Sequence, residues 1–98
     1  MALKVLDTPT FNKVVKKLFA TEKKTVDEAI RKIADDPTLG EEKKGDLAGI
    51  FVFKFKMNKQ DILLSYGLLP SKEQPQELVL LSLGSHENFY SNLKRQIG

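Results

Sequence analysis

The hydrophobic period of this chain turns from helical to alternating between Pro37 and Phe51, and that change constrains the fold more than any other feature. Before it, apolar residues recur at helical spacing. Phe11, Val14, Val15, Leu18 and Phe19 fall at i, i+3, i+4, i+7 and i+8, one stripe of a helix, with Lys13, Lys16 and Lys17 on the opposite face. Thr8-Pro9 supplies a start, with threonine as N-cap and proline at the first helical position, where its missing N–H costs no hydrogen bond. Val26, Ala29, Ile30, Ile33 and Ala34 repeat the spacing. Thr25 followed by Glu28 reads as a capping box, so a second helix is expected to begin there, after a short connection Thr21-Glu22-Lys23-Lys24. Pro37 disfavours helix at Asp36 and ends the element. Two helices so closely linked are expected to pack as an antiparallel hairpin.

After a polar loop from Thr38 to Asp46 the period is two. Phe51, Phe53, Phe55 and Met57 face one side, and Ile50, Val52, Lys54 and Lys56 the other. Asn58-Lys59-Gln60 reads as a hairpin turn. Asp61 to Leu69 is the next strand, with Ile62, Leu64, Tyr66 and Leu68 on one face. The stretch from Pro70 to Gln76 holds two prolines and reads as a loop, and Glu77 to Leu83 as the last strand. Ser85 is placed to cap a C-terminal helix whose stripe is Phe89, Leu93 and Ile97. Leu3 to Leu6 can add a short first strand. Helices in a run followed by strands in a run imply an α+β fold. The expectation is an N-terminal helical hairpin packed on the phenylalanine face of a small antiparallel β-sheet, with a C-terminal helix. The lysine face is left partly open. Ninety-eight residues without repeats or low-complexity tracts make a single domain, 1–98.

Composition removes several classes of function. The chain has no cysteine and one histidine, so disulfides, thiolate metal centres and histidine-rich metal sites are excluded, and no cofactor is expected. No apolar run reaches the ~18 residues of a membrane span, and the N-terminus lacks the pattern of a signal peptide. The expected location is the cytoplasm, with no membrane partner. The net charge of +3 is compatible with a polyanionic partner. Only Arg31 and Arg95 are arginines among sixteen basic residues, a thin endowment of the better phosphate fork.

The one histidine, His86, stands in Leu83-Gly84-Ser85-His86-Glu87-Asn88-Phe89-Tyr90, at the expected passage from the last strand to the last helix. Histidine is the side chain whose ordinary pKa lies near neutrality, and it suits proton transfer. At the first turn of a helix it would feel the positive end of the macrodipole, which disfavours the imidazolium.

Taken in order, Lys44-Gly45-Asp46-Leu47-Ala48-Gly49-Ile50, the alternating Lys54 and Lys56, Leu63-Leu64-Ser65-Tyr66 and the closing Gly84-Ser85-His86 segment resemble the RelE/ParE superfamily of bacterial toxins, over about residues 3–97. The resemblance implies a small toxin of a type II toxin–antitoxin pair, neutralised by a cognate antitoxin. RelE-like members cleave mRNA on the ribosome, and ParE-like members poison DNA gyrase. The Gly-x-His closing followed by an aromatic is similar to the YafQ type of ribonuclease. That likeness implies proton transfer by His86, with an aromatic at Tyr90 and a site aspartate at Asp61. Lys54 and Lys56 are spaced before Tyr66 as the site lysines of RelE are. Two departures stand out. Leu63 occupies the position where RelE-like chains often carry an arginine, and no histidine lies near Met57.

Metal-free RNA cleavage uses the neighbouring 2′-hydroxyl as nucleophile. It needs a base for that hydroxyl, an acid for the leaving oxygen and cations for the charged phosphorane. On that reading His86 is the acid or base, Lys54 and Lys56 supply charge, Asp61 orients or accepts a proton, and Tyr90 stacks on a base or donates its hydroxyl. Each residue also has a plain structural use. The lysines suit a solvated sheet face, Asp61 suits a strand start beside a turn, and Tyr90 and Phe89 suit core packing. Asp46 with Gly45 and Gly49 suits a turn. Two other readings stay open: a gyrase-binding toxin with no chemistry, and a domesticated relative that only binds its antitoxin, or operator DNA through it.

Overall fold

The computed structural model describes residues 3–85. The elements run β1 (Lys4–Asp7), α1 (Pro9–Lys16), α2 (Ala20–Asp35), β2 (Glu41–Glu42), β3 (Phe51–Met57), β4 (Gln60–Leu69) and β5 (Glu77–Ser85), with single helical turns at Pro37–Leu39 and Gly45–Leu47. The strands form one sheet in the order β1-β5-β4-β3-β2. The long strands are antiparallel, as alternation and short connections require. β1 differs, lying parallel to β5 with Lys4 opposite Glu77 and Asp7 opposite Leu80.

The helices form where the apolar stripes put them, with two corrections. Thr8 is the N-cap of α1: its Oγ1 accepts from the Phe11 N–H at 3.3 Å. The same hydroxyl donates to the Leu80 carbonyl at 2.9 Å, tying the helix start to β5. α1 is shorter than its stripe. The N–H groups of Lys17 and Leu18 reach back only three residues, to Val14 and Val15, and this tightened turn ends the helix. The second correction is the start of α2. Phe19, not Thr25, is its N-cap, and the Glu22 carboxylate accepts from the Phe19 N–H at 2.9 Å. Thr25 lies inside the helix, where its hydroxyl returns to the Thr21 carbonyl at 3.2 Å. Thr21 to Lys24 is therefore helix, and the connection shrinks to Lys17–Phe19. Asp36 and Pro37 end α2 as expected.

One face of the sheet holds the main core. Phe11 of α1 and Val26, Ala29, Ile33 and Ala34 of α2 pack with Phe51, Ile62, Leu64, Tyr66, Leu78, Leu80 and Leu83. Phe53, Phe55, Met57 and Leu68 flank them, so the phenylalanine face is the covered one. α1 sits mainly against β5 and α2 against β3, so each helix takes its own part of the sheet. The opposite face has a smaller apolar cluster of Leu47, Val52 and Leu63, with Ile50 beside it. The glycines around Leu47 have positive φ, +69° at Gly45 and +87° at Gly49, which lets the Lys44–Ile50 segment turn tightly enough to lay Leu47 there. The C-terminal helix expected over Phe89, Leu93 and Ile97 lies outside the described residues.

Tyr66 fixes the loop between α2 and the sheet. Its ring is fully buried and stacks on Phe51 with centroids 5.4 Å apart. Its hydroxyl donates to the Pro37 carbonyl at 2.6 Å and accepts from the Gly40 N–H at 3.0 Å. Burial pushes its pKa up to about 12. An unfolded tyrosine ionises near 10, so the folded state holds the phenolic proton through the window between. That contribution to stability is complete below pH 10 and is expected to be lost as pH rises towards 12. The 295 nm absorbance of wild type minus Tyr66→Phe checks it: the difference titration should have its midpoint well above 10.

Candidate functional site

The β3–β4 hairpin builds the lysine face. Its turn is two residues long, Asn58-Lys59, with φ of 53° and 67°, the left-handed conformation that matches the twist of the flanking strands. A two-residue turn sets Met57 opposite Gln60, and the ladder then sets Lys56 opposite Asp61 and Lys54 opposite Leu63. Glu22 steadies the turn. One carboxylate oxygen caps α2 and the other accepts from the Asn58 side-chain amide.

Two of the expected site residues therefore come together. The Lys56 ammonium meets the Asp61 carboxylate at 2.8 Å, with 72% and 41% of the two side chains exposed. Such a pair contributes under about 1 kcal/mol to stability, so its worth to the fold is small. Lys54 lies two residues away on the same face, exposed, with no ion pair among the described residues. The face is thus a pair of cations, one already engaged by a carboxylate. Between it and the middle of the sheet lies Leu63, nearly fully buried with Leu47 and Val52. That side chain packs the minor core and brings no charge. Beyond it the hydroxyls of Ser65 and Ser82 meet at 2.8 Å, opposite one another in the β4–β5 ladder.

His86 and Tyr90 lie outside the described residues. Strand β5 extends two residues further than expected and ends at Ser85, whose partner in the ladder is Ile62, the neighbour of Asp61. No group of three or more potential metal ligands gathers among the described residues.

A second basic surface escaped the sequence reading. Lys43, Lys44 and Lys72 line an open groove of about 380 Å³ with Glu42, Gly45 and Ala48. Lys72 comes from the distant loop after β4, so nothing in the linear sequence joins it to the others. Lys43 meets Glu41 at 2.8 Å and Lys72 meets Glu42 at 2.9 Å. The Lys43 partner holds the Glu41 carboxyl below its usual range, and the bond to Glu42 raises the Lys72 ammonium above its own. The groove's charge is in large part spent internally. No helix among the described residues is long and apolar enough to cross a membrane.

The fold is shared with solved toxins. A chain of the toxin–antitoxin complex RelBE2 from Mycobacterium tuberculosis matches with a TM-score of 0.71 at 22% identity, over 88% of this chain and 100% of that one. A mutant of the E. coli toxin RelE in the free state matches with a TM-score of 0.71 at 18% identity, over 99% and 95%. The archaeal RelE–RelB complex from Pyrococcus horikoshii matches with a TM-score of 0.57 at 13% identity, over 89% and 98%. No curated protein matches the sequence. A family model described as the ParE-like toxin of type II bacterial toxin–antitoxin systems matches residues 5–94. With nearly the whole chain matched, this protein belongs to the ParE-like toxins of type II toxin–antitoxin systems, within the RelE/ParE superfamily.

Proposed function

We propose that this toxin is an mRNA endoribonuclease acting at the ribosome in the cytoplasm, held inactive by a cognate antitoxin. The observation that carries the reading is the exposed Lys54 and Lys56 on one sheet face, with Asp61 bonded to Lys56. Two ammonium groups about two strand positions apart suit an RNA backbone phosphate and the extra charge of a phosphorane. Asp61 holds Lys56 in place until a phosphate competes for it. Proton transfer falls to His86, and Tyr90 assists as a stacking or hydroxyl group. The antitoxin follows from family membership and from relatives that were solved as toxin–antitoxin complexes.

A second reading is a toxin that binds DNA gyrase without chemistry. It is favoured by the ParE-like family description and by the buried Leu63 where a site arginine would add a cation.

Mapping mRNA 5′ ends after induction tests the two. New codon-phased ends with wild type, absent with Lys54→Ala/Lys56→Ala, are the expected result. Growth arrest without new ends moves the target to gyrase. In binding assays with single-stranded RNA the double variant should also flatten the salt dependence, lowering the slope by about 1 to 1.5 for two lost phosphate contacts. An unchanged slope removes the lysines from the site.

A further inference from the structure

Among the described residues Phe19 is the most exposed large apolar side chain, at 77%, against 39–48% for Val5, Leu39 and Leu69. Neither packing nor capping explains a phenylalanine there. The stripe of α1 would carry it inward at i+8, but the helix ends at Lys16 and leaves the ring outside the core. As N-cap of α2 it makes no side-chain hydrogen bond, at a position that favours serine, threonine, aspartate or asparagine. Its backbone is nonetheless fixed on both sides. The N–H donates to Glu22, and the carbonyl accepts from the Lys23 N–H at 2.9 Å. The second oxygen of Glu22 holds Asn58, so the base of the ring is tied to the β3–β4 turn.

Cations flank the ring. The stretch Lys16–Lys24 holds four lysines and one glutamate, a net +3, as much as the whole chain. Glu22 is that glutamate, and its two oxygens are taken up by Phe19 and Asn58. Lys16 and Lys17 stand at the end of α1, Lys23 one turn into α2 and Lys59 beside Asn58 in the hairpin turn, all exposed. None of these four is in an ion pair among the described residues. The same end of the sheet carries the Lys56–Asp61 pair and the last residue of β5, opposite Ile62. An aromatic face amid ammonium groups fits a polyanion that carries flat rings. Unpaired RNA is such a polymer: each base offers a face to stack and each phosphate a charge to meet. A duplex keeps its base faces covered, so the ring selects single strands.

We propose that Phe19 is a stacking platform for an unpaired base of the RNA strand held by Lys54 and Lys56, with Lys16, Lys17, Lys23 and Lys59 meeting the phosphates on either side. This deepens the ribonuclease reading and rests on it. Lys56 stands on the sheet face turned away from the helices, and Phe19 on the helical side. The strand therefore passes over the Asn58-Lys59 turn, with Lys59 between the two. Phe19 touches no reacting atom. It is a positioning residue that fixes which nucleotide lies over Lys56. Because every base has a face to stack, it adds affinity and register without choosing sequence.

The test is binding of a single-stranded RNA of about ten nucleotides to the full chain, followed by fluorescence anisotropy over a range of salt. Phe19→Ala should weaken binding about tenfold and leave the salt slope unchanged, because it removes a stack and no phosphate contact. Lys16→Gln/Lys17→Gln should instead lower the slope by about 1 to 1.5. Phe19→Leu should behave as alanine does, and Phe19→Tyr as wild type. The ring lies outside both apolar clusters, so all of these variants should unfold at the wild-type midpoint. The chain has no tryptophan, so Phe19→Trp gives a single reporter whose emission the RNA should quench. Wild-type affinity in Phe19→Ala, with binding still dependent on Lys54 and Lys56, overturns the platform and leaves the ribonuclease reading standing. Full binding by Phe19→Leu also overturns it, since an apolar contact without stacking then suffices. No binding of the RNA by wild type overturns the platform too, and the ribonuclease reading then rests on the 5′-end mapping above.

Discussion

Gly40→Ala is expected to destabilise the protein by about 2–4 kcal/mol, the largest loss anticipated for a single added methyl group. The reason is space and not backbone. Gly40 has φ −79° and ψ 155°, a conformation any residue adopts. A Cβ there would lie 2.8 Å from both Cε1 and Cζ of Tyr66 and closer still to its hydroxyl. The ring has nowhere to go, being fully buried and stacked on Phe51. Moving it also breaks the bonds that its hydroxyl makes to Pro37 and Gly40, leaving the buried N–H at position 40 without its acceptor. Urea denaturation checks the value. Tyr66→Phe alone should cost about 1–2 kcal/mol through the lost hydroxyl bonds. Because the hydroxyl is the nearest obstacle, the two changes together should cost less than their sum. A Gly40→Ala midpoint indistinguishable from wild type would show that the loop slides away and that the Tyr66 bonds do not anchor it.

Much of this architecture was legible where one local rule had no competitor. Thr8-Pro9 has only one reading as a helix start, and α1 begins there. The alternation from Phe51 to Met57 assigns two faces, and both are found. Where two local rules compete, tertiary packing decides. Phe19 with Glu22 and Thr25 with Glu28 both have capping spacing. The first wins because starting α2 early lets Glu22 also hold Asn58, a residue 36 positions away. The parallel pairing of β1 with β5 joins residues 73 apart and leaves no trace in a four-residue strand. β2 is two residues of glutamate, with no pattern to read. The site follows the same division. Lys54 and Lys56 stand out by alternation alone. The Lys56–Asp61 bond depends on register, and register depends on a turn of two residues where the sequence reading allowed three.

His86→Ala is expected to lower RNA cleavage by about 10²- to 10⁴-fold while leaving antitoxin binding unchanged within about threefold. The face built by β3 and β4 holds cations and a carboxylate but, among the described residues, no imidazole. Lys54 and Lys56 provide cations, and Asp61 is bonded to one of them. Attack by a 2′-hydroxyl needs a group that both takes and gives a proton near neutral pH. Ordinary amines hold their proton to about pH 10 and ordinary carboxylates lose theirs near pH 4, so neither trades one readily. Histidine does, and this chain has one. The residue before it, Ser85, is fixed in β5 opposite Ile62, at the same end of the sheet as Asp61 and Lys56. The check is cleavage of mRNA on programmed ribosomes by wild type and variant, with 5′-end mapping after induction in cells. His86→Gln separates the two possible uses of the ring: a hydrogen-bonding role survives the amide in part, and a proton-transfer role does not. Wild type should also lose its rate towards low pH with a midpoint in the histidine range, a limb absent from the residual activity of the variant. Full cleavage by His86→Ala would remove the imidazole from the mechanism and leave the two lysines and Asp61 to account for it. Growth arrest of equal strength in both proteins, with no new ends, would instead assign the toxin to a protein target.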